Sequence, residues 1–457
     1  MSKVVVIGAG LSGLAAAFRI RQANPRAEVV VLEERARAGG HIVTERQDGY
    51  LIEHGPNGIF DAKPHTLRLC RDLGLGEQLI VASEASRKNR YLFVNEQLHR
   101  LPGDPLGLLR TPLLSWQGKL AMLAEPFRRR HGNLPMDESV AQFARRRFGC
   151  EAADVFIDAL VTGIHAGDPE KLSVAAAFPR LPMFERTAGS VIRGVMRAGK
   201  VKRREAIARG ETPMPQRMWS FRDGLQVMIN SLVSKLGTDL HLGVGVRRIE
   251  KSSSGWLVHG EGGDSWNADA VVNTAPAFRQ AEQLATIDEP MAQEIASIAY
   301  NRIAVVVLGY RSEHAPQPEG FGYIAPQLTR RDVLGVQWCS AIYPERAPPG
   351  FVLWRALCAG VNRADMADLP DNELLRRVHA EMTIAMGVTA PPAFHRIVRW
   401  PRAIPQYNVG HLARVARIES MASKHPGLTL GGNAYHGVAM NDCCEQAERI
   451  AIAITPV

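Results

Sequence analysis

No run of 18 or more apolar residues occurs in the chain, so no membrane-crossing helix is expected. Cysteine is scarce. Six are spread over 457 residues, none forms a C-x-x-C pair, and the adjacent Cys443 and Cys444 lack metal-ligand spacing. That excludes a dense disulfide framework and a cysteine metal site, and a reducing cytoplasm fits best. The first residues lack the basic stretch, apolar stretch and small-residue cleavage site of a signal peptide. Internal repeats and low-complexity tracts are absent. With 46% hydrophobic residues, the chain has ordinary globular composition and length for two or three domains.

Acidic charge is in deficit. The formal net charge is +9, which suits an anionic small molecule, an anionic membrane surface or nucleic acid. Three basic clusters fall in one stretch: Arg128, Arg129, Arg130 and His131; Arg145, Arg146 and Arg147; and Lys200, Lys202, Arg203 and Arg204. They read either as three solvated helix ends or as one basic surface.

The chain opens on an apolar, β-branched run, Lys3 to Ile7. Gly8-Ala9-Gly10-Leu11-Ser12-Gly13 follows, then a helical pattern through Ile20 and a second apolar strand from Glu28 to Leu32. This is β-turn-α-β. Short helices are expected at 66–73, 225–236 and 373–385. Arg90 to Val94 and Leu98 to Leu101 form a hairpin. From Pro102 to Gly199 helical periodicity dominates, with Leu106, Leu108, Leu109, Leu113, Leu114 and Trp116 close to Arg110. That mixture suits a membrane-surface segment or an ordinary buried helical subdomain. Residues 199–215 read as a polar loop. Strands are expected at 239–242, 244–250, 255–259 and 269–273. Runs at 303–310, 333–338 and 351–357 suggest a second sheet. A short strand at 428–430 leads to a closing helix over 437–453.

The glycine spacing carries chemistry in this context. Gly8 permits the tight turn, Gly10 lets backbone approach a pyrophosphate, and Gly13 lets helix and strand pack closely. The helix N-terminus offers free N–H donors and a positive dipole end. Glu33, twenty residues past Gly13, is placed to accept from ribose hydroxyls.

The next segment chooses between dinucleotides. Glu33-Glu34-Arg35-Ala36-Arg37-Ala38-Gly39-Gly40-His41 resembles the E-x-x-x-R-x-G-G-[RK] extension of the flavin amine oxidase superfamily. The resemblance implies non-covalent FAD, with Glu33 and Glu34 at the ribose, Arg37 along the diphosphate and Gly39-Gly40 passing close to the flavin. His41 departs from the usual Arg or Lys. Val246 corresponds to the valine whose backbone meets adenine. Gly431-Gly432-Asn433-Ala434-Tyr435-His436-Gly437-Val438-Ala439-Met440 resembles the C-terminal flavin motif, which implies cofactor contacts at Gly432, Asn433, Gly437, Val438 and Ala439. Cys443 follows that motif, so it is not a flavin attachment site.

Four segments resemble the protoporphyrinogen oxidase family over essentially the whole chain. They are Glu53-His54-Gly55-Pro56-Asn57-Gly58-Ile59, the hairpin beginning at Arg90, residues 159–173 with Gly163-Ile164-His165-Ala166-Gly167-Asp168-Pro169, and Ile404-Pro405-Gln406-Tyr407-Asn408-Val409-Gly410-His411. This implies that Gly55, Pro56 and Asn57 line the cofactor and that Arg90 grips a substrate propionate. A guanidinium can hold a carboxylate bidentately. No catalytic acid–base pair and no metal is required, and His165, His411 and His436 are read as structural.

The fold expected is α+β. A Rossmann-like FAD-binding domain is discontinuous (residues 1–85, 200–280 and 416–457). A mixed-sheet substrate domain covers 86–101 and 281–415, and a helical insertion covers 102–199. The activity implied is O2-dependent oxidation of protoporphyrinogen IX to protoporphyrin IX in haem synthesis, with hydrogen peroxide released. Its partners would be the porphyrinogen and O2, without nucleic acid. A homodimer and peripheral contact with the inner face of the membrane stay open. Coproporphyrinogen III is the alternative substrate. Another amine oxidase or desaturase chemistry, and a flavin-carrying binding protein, are the remaining readings.

Overall fold

In the computed structural model of the chain, the described residues are 3–128, 137–208, 210, 215–253 and 255–454. A five-stranded parallel sheet runs in the order Leu240–Leu242, Glu28–Glu33, Lys3–Ile7, Ala270–Asn273, Leu428–Leu430. Both faces are covered, which explains the near-continuous apolar strands. Val4 and Val6 face one core with Leu14 and Ile20 of helix Leu11–Ala23, Leu232 of helix Gln226–Leu236 and Ala447 of helix Met440–Ile454. Val5 and Ile7 face the other, with Ile249, Val258 and Leu284. The strand's two-residue period thus feeds two cores.

The second sheet has seven strands: Phe394–Trp400, Ile303–Arg311, Phe351–Ala359, Val333–Trp338, Gly322–Ile324, Tyr91–Val94 and Gln97–Arg100. Gly322–Ile324 and Tyr91–Val94 pair in parallel, while the other neighbours are antiparallel, so the sheet is mixed. Ile303 to Tyr310 is buried throughout because a strand lies on either side and packed layers cover both faces.

Between the hairpin and residue 208 the described structure is helical, and here three expectations need correction. Residues 199–208 are not loop: helix Val191–Ala208 continues through them. Almost every side chain beyond Gly194 is exposed, including the apolar Val195, Met196, Val201 and Ile207. Leu113 and Leu114 are core residues, packed with Leu92, Val94 and Phe143. The Arg145–Arg147 cluster is not an open basic surface. Arg145 pairs with Glu170, Arg146 with Glu138 and Glu185 at 2.6 Å each, and Arg147 is fully buried against Glu125. Arg128 donates to the Arg146 carbonyl at 2.7 Å, and Arg129 to His131 lie outside the described residues. Lys200 to Arg204 are exposed to solvent.

Candidate active site

The motif residues converge where parallel strands end. In an open α/β sheet that crevice is the place where ligands bind. The Lys3–Ile7 strand delivers Gly8, at φ +95°, whose N–H donates to the Leu32 carbonyl at 2.8 Å. A Cβ on Gly13 would lie 1.9 Å from the Gly8 carbonyl oxygen, so close packing of helix on turn requires glycine there. Leu11 and Ser12 occupy the first helical turn, and no side chain caps it. Its N–H groups are therefore available to an anion.

Glu33 ends the neighbouring strand. One carboxylate oxygen accepts from the Ala9 N–H at 2.7 Å and the other from the Arg35 N–H at 3.1 Å. It braces the glycine turn while keeping lone pairs for further donors. Glu34 lies at the surface, 3.0 Å from Arg279. Val246 is buried, and its carbonyl accepts from Gln283 at 3.0 Å.

The Gly39-Gly40 pair lies against the turn. The Gly39 N–H donates to Ala9 at 2.8 Å, and a Cβ on Gly40 would sit 3.2 Å from the Gly10 Cα. Gly55 closes on His41: its Cβ would fall 2.0 Å from the His41 carbonyl oxygen. Pro56 and Asn57 follow in the same turn, and the Asn57 Nδ2 is buried without a partner among the described residues. The Ala270–Asn273 strand passes into Thr274, whose hydroxyl donates to the Ile7 carbonyl at 2.9 Å. The Leu428–Leu430 strand passes into Gly431, whose N–H donates to Asn273 at 2.8 Å. Gly432 and Gly437 are at φ +102° and +115°. Val438 and Ala439 lead into helix Met440–Ile454, whose Cys443 is hydrogen-bonded to Ser12. Two helix N-termini therefore open side by side. Burial pushes the Cys443 thiol up to about 11, so it is a poor nucleophile.

These residues fit FAD. The Arg37 guanidinium donates to the Gly40 carbonyl at 3.1 Å and has no carboxylate in salt-bridge contact among the described residues. Burial, then the nearby Arg35, lowers its pKa. A half-buried cation beside two helix N-termini needs an anion, and a diphosphate supplies one. The unpaired Asn57 amide offers a donor on the side of the Gly55 turn.

His41 lies 4.7 Å from Trp400, edge to face. Burial first, then Arg35 and Arg37, pushes its pKa down to about 4, so the imidazole is neutral. Trp400 also donates to the His54 carbonyl at 3.0 Å, and Arg355 donates to the carbonyls of His54 and Gly55. Sequence reasoning missed Thr274, Trp400 and Arg355. Thr274 directly follows an expected strand, which was a usable signal; the Phe394–Trp400 strand has only weak apolar alternation.

His165 and His411 are likewise pushed down to about 4, chiefly by burial. His411 faces the Tyr435 carbonyl and His436 pairs with Glu419. The depressed values set an acid limit. A histidine neutral in the fold but ordinary when unfolded gives stability that is complete above about pH 6.5 and falls as pH drops toward 4. Each such proton contributes a slope of about 1.4 kcal/mol per pH unit. Asp158, pushed up to about 6 by burial, works in the opposite sense for one proton. Urea unfolding between pH 7 and pH 5 is expected to show stability falling as pH drops, with net proton uptake on unfolding. Stability that is flat across this window would contradict the three buried neutral imidazoles.

Arg90 precedes the Tyr91–Val94 strand, and its carbonyl accepts from Leu101 at 2.8 Å. Its guanidinium lies over Phe60 at 5.5 Å and Phe321 at 4.9 Å from the ring centroids. The side chain is exposed, and no carboxylate is in salt-bridge contact with it among the described residues. Phe60 is three residues beyond Asn57 of the Gly55-Pro56-Asn57 turn.

The sequence profile described as flavin containing amine oxidoreductase matches residues 11–455. The chain belongs to this family. It is an FAD-dependent oxidase. It is 30% identical to coproporphyrinogen III oxidase of Bacillus subtilis (strain 168), with 97% of this chain and 96% of that protein covered. It is 31% identical to protoporphyrinogen oxidase of Homo sapiens, covering 99% and 98%. A crystal structure from Exiguobacterium sp. 255-15, designated a protoporphyrinogen oxidase, superposes with TM-score 0.85 at 24% identity, covering 99% and 98%. That likeness establishes the shared fold. Among the described residues no helix is long and apolar enough to cross a membrane, and no cluster of histidine, cysteine and carboxylate side chains could hold a metal ion.

Proposed function

We propose that the chain oxidises protoporphyrinogen IX to protoporphyrin IX. The observation that carries this is Arg90, a cation against the Phe60 and Phe321 rings without an acidic partner among the described residues. Apolar rings with one unpaired guanidinium match a tetrapyrrole with carboxylate arms. Bound FAD would supply hydride acceptance and reoxidation by O2. Around it, Gly8, Gly10, Leu11, Ser12 and Gly13 would hold the diphosphate with Arg37, and Glu33 the ribose. Gly39, Gly40, His41, Gly55, Pro56, Asn57, Gly432, Asn433, Gly437, Val438 and Ala439 would surround the rest of the cofactor. Substrate aromatisation needs orientation and exclusion of water rather than a nucleophile.

Coproporphyrinogen III is the second reading, supported by the 30% identity to the Bacillus subtilis enzyme along nearly the whole chain. Porphyrin fluorescence formed from each porphyrinogen separates the two. Arg90→Ala is expected to raise KM by about 10- to 150-fold, the worth of a charge-assisted bond of ~1.5–3 kcal/mol, and to leave the flavin spectrum unchanged. Unaltered steady-state kinetics would remove Arg90 from the site.

We also infer peripheral membrane contact, through the helices Pro105–Arg110 and Trp116–Leu123 and the turn at Phe127. Trp116 is 66% exposed, Leu120 64% and Phe127 81%, and Leu106, Leu109 and Leu123 are exposed beside them. Arg193, exposed, lies 5.9 Å from the Phe127 ring, a cation flanking an apolar side chain. Buried apolar area and ~1 kcal/mol per cation would drive binding to anionic lipid. Anionic vesicles are expected to sediment the protein at low salt, less at high salt. Serine at Trp116, Leu120 and Phe127 should abolish this without unfolding. Absence of binding at low salt would defeat the contact.

A further inference from the structure

The segments Pro405-Gln406-Tyr407-Asn408 and 159–173 meet at one side chain. Tyr407 is 1% exposed. Its hydroxyl donates to the Asn433 carbonyl at 2.6 Å and accepts from the Gly437 N–H at 2.8 Å. Its ring stacks on His411, with centroids 4.0 Å apart and planes 12° apart. His411 in turn faces the Tyr435 carbonyl at 3.2 Å. On the other side, the Tyr407 carbonyl accepts from Ser173 at 2.8 Å, Val409 donates to the Lys171 carbonyl at 2.8 Å, and Leu172 bridges to Asn408. Gln406 donates to the His165 carbonyl at 3.2 Å.

The loop held this way needs holding. Residues 431–439 form neither helix nor strand, and Gly432 and Gly437 carry positive φ, where the backbone has wide freedom when released. Its polar backbone groups must find partners outside regular structure. The Tyr407 hydroxyl satisfies one acceptor and one donor four residues apart, which fixes the loop's chord just before helix Met440–Ile454 begins.

We propose that Tyr407 is a positioning residue that ties the flavin-facing loop to the 159–173 segment of the helical region, and so sets the place of the Met440–Ile454 helix N-terminus against the flavin. The proposal rests on the reading that residues 432–439 contact FAD. The tether passes from Ser173 through Tyr407 to Asn433 and Gly437, beside Val438, which packs on the core of the helical region.

The test is Tyr407→Phe, which keeps the ring, its burial and the stack on His411 and removes the hydroxyl alone. In the holoenzyme the FAD dissociation constant is expected to rise at least tenfold, the flavin absorption band to change shape and the flavin midpoint potential to shift. Porphyrinogen KM should change far less than kcat. A lower melting temperature with unchanged FAD affinity, spectrum and potential would make the hydroxyl merely structural and overturn the proposal. A variant that does not fold at all would contradict it too, because the hydroxyl is assigned to the loop and not to the core. Gly437→Ala, whose Cβ would lie 2.3 Å from an Asp442 oxygen, moves the loop directly. If Gly437→Ala alters the flavin spectrum and Tyr407→Phe does not, the loop contacts flavin and the tether falls. If neither alters it, the loop reading falls, and the tether with it.

Discussion

Gly10→Val is expected to give a folded protein without flavin. Gly10 has φ −70° and ψ 174°, an extended conformation open to any residue. A Cβ built there meets nothing closer than the Gly40 Cα at 4.0 Å. The chain itself therefore tolerates a side chain at this position, and the loss would come from the ligand's share of the space. A branched side chain would fill the place of the pyrophosphate at the helix N-terminus. Gly13→Val is the contrasting case: its Cβ would overlap the Gly8 carbonyl, so fold and cofactor should be lost together. Flavin absorbance per polypeptide and far-ultraviolet circular dichroism distinguish the pair. Wild-type flavin content in Gly10→Val would move the diphosphate away from this turn. In the wild type, acid or heat should release all FAD without proteolysis.

Glu125→Ala is expected to be the most destabilising single change away from the cofactor. The Glu125 carboxylate is fully buried. It pairs with the Arg147 Nε at 2.9 Å, receives the Ser190 hydroxyl, and accepts from the Val191 and Ile192 N–H groups at 2.9 and 3.2 Å. One side chain thus neutralises a buried guanidinium and caps helix Val191–Ala208. Removing it leaves Arg147 buried, with Glu185 at 3.4 Å already engaged by Arg146. Breaking one side of such a pair costs about 3–5 kcal/mol. Urea unfolding reads the loss directly. A change below about 1 kcal/mol, the scale of an exposed ion pair, would show that the cluster is solvated instead.

The sequence made the cofactor half legible because its signals are local. The glycines, the strand before them and the acid after the second strand lie within 33 residues, and each has its own steric or electrostatic reason. The helical region resisted for a complementary reason. Helix Val191–Ala208 projects with most sides in water, its Val195, Met196, Val201 and Ile207 included, so its basic second half reads like a polar loop. Arg145, Arg146 and Arg147 looked like surface charge because their partners Glu125, Glu138, Glu170 and Glu185 stand 8 to 39 residues away, apart from one another in sequence. Leu113 and Leu114 lie in the turn between helices Pro105–Arg110 and Trp116–Leu123, and their burial is decided by packing against the hairpin rather than by any helical period. Arg90 was legible as a candidate from its place at the hairpin. Its stack on Phe321 joins residues 231 positions apart and was not. Tyr407 sits in a segment without periodicity, and its two hydrogen bonds exist only in the fold.

The most direct test of the account is to mix the purified holoprotein anaerobically with protoporphyrinogen IX, with coproporphyrinogen III and with a primary amine, and to follow the flavin absorbance. The account predicts bleaching by a porphyrinogen, then return of the band and porphyrin fluorescence when O2 is admitted. A flavin left oxidised by both porphyrinogens and bleached by the amine would contradict it.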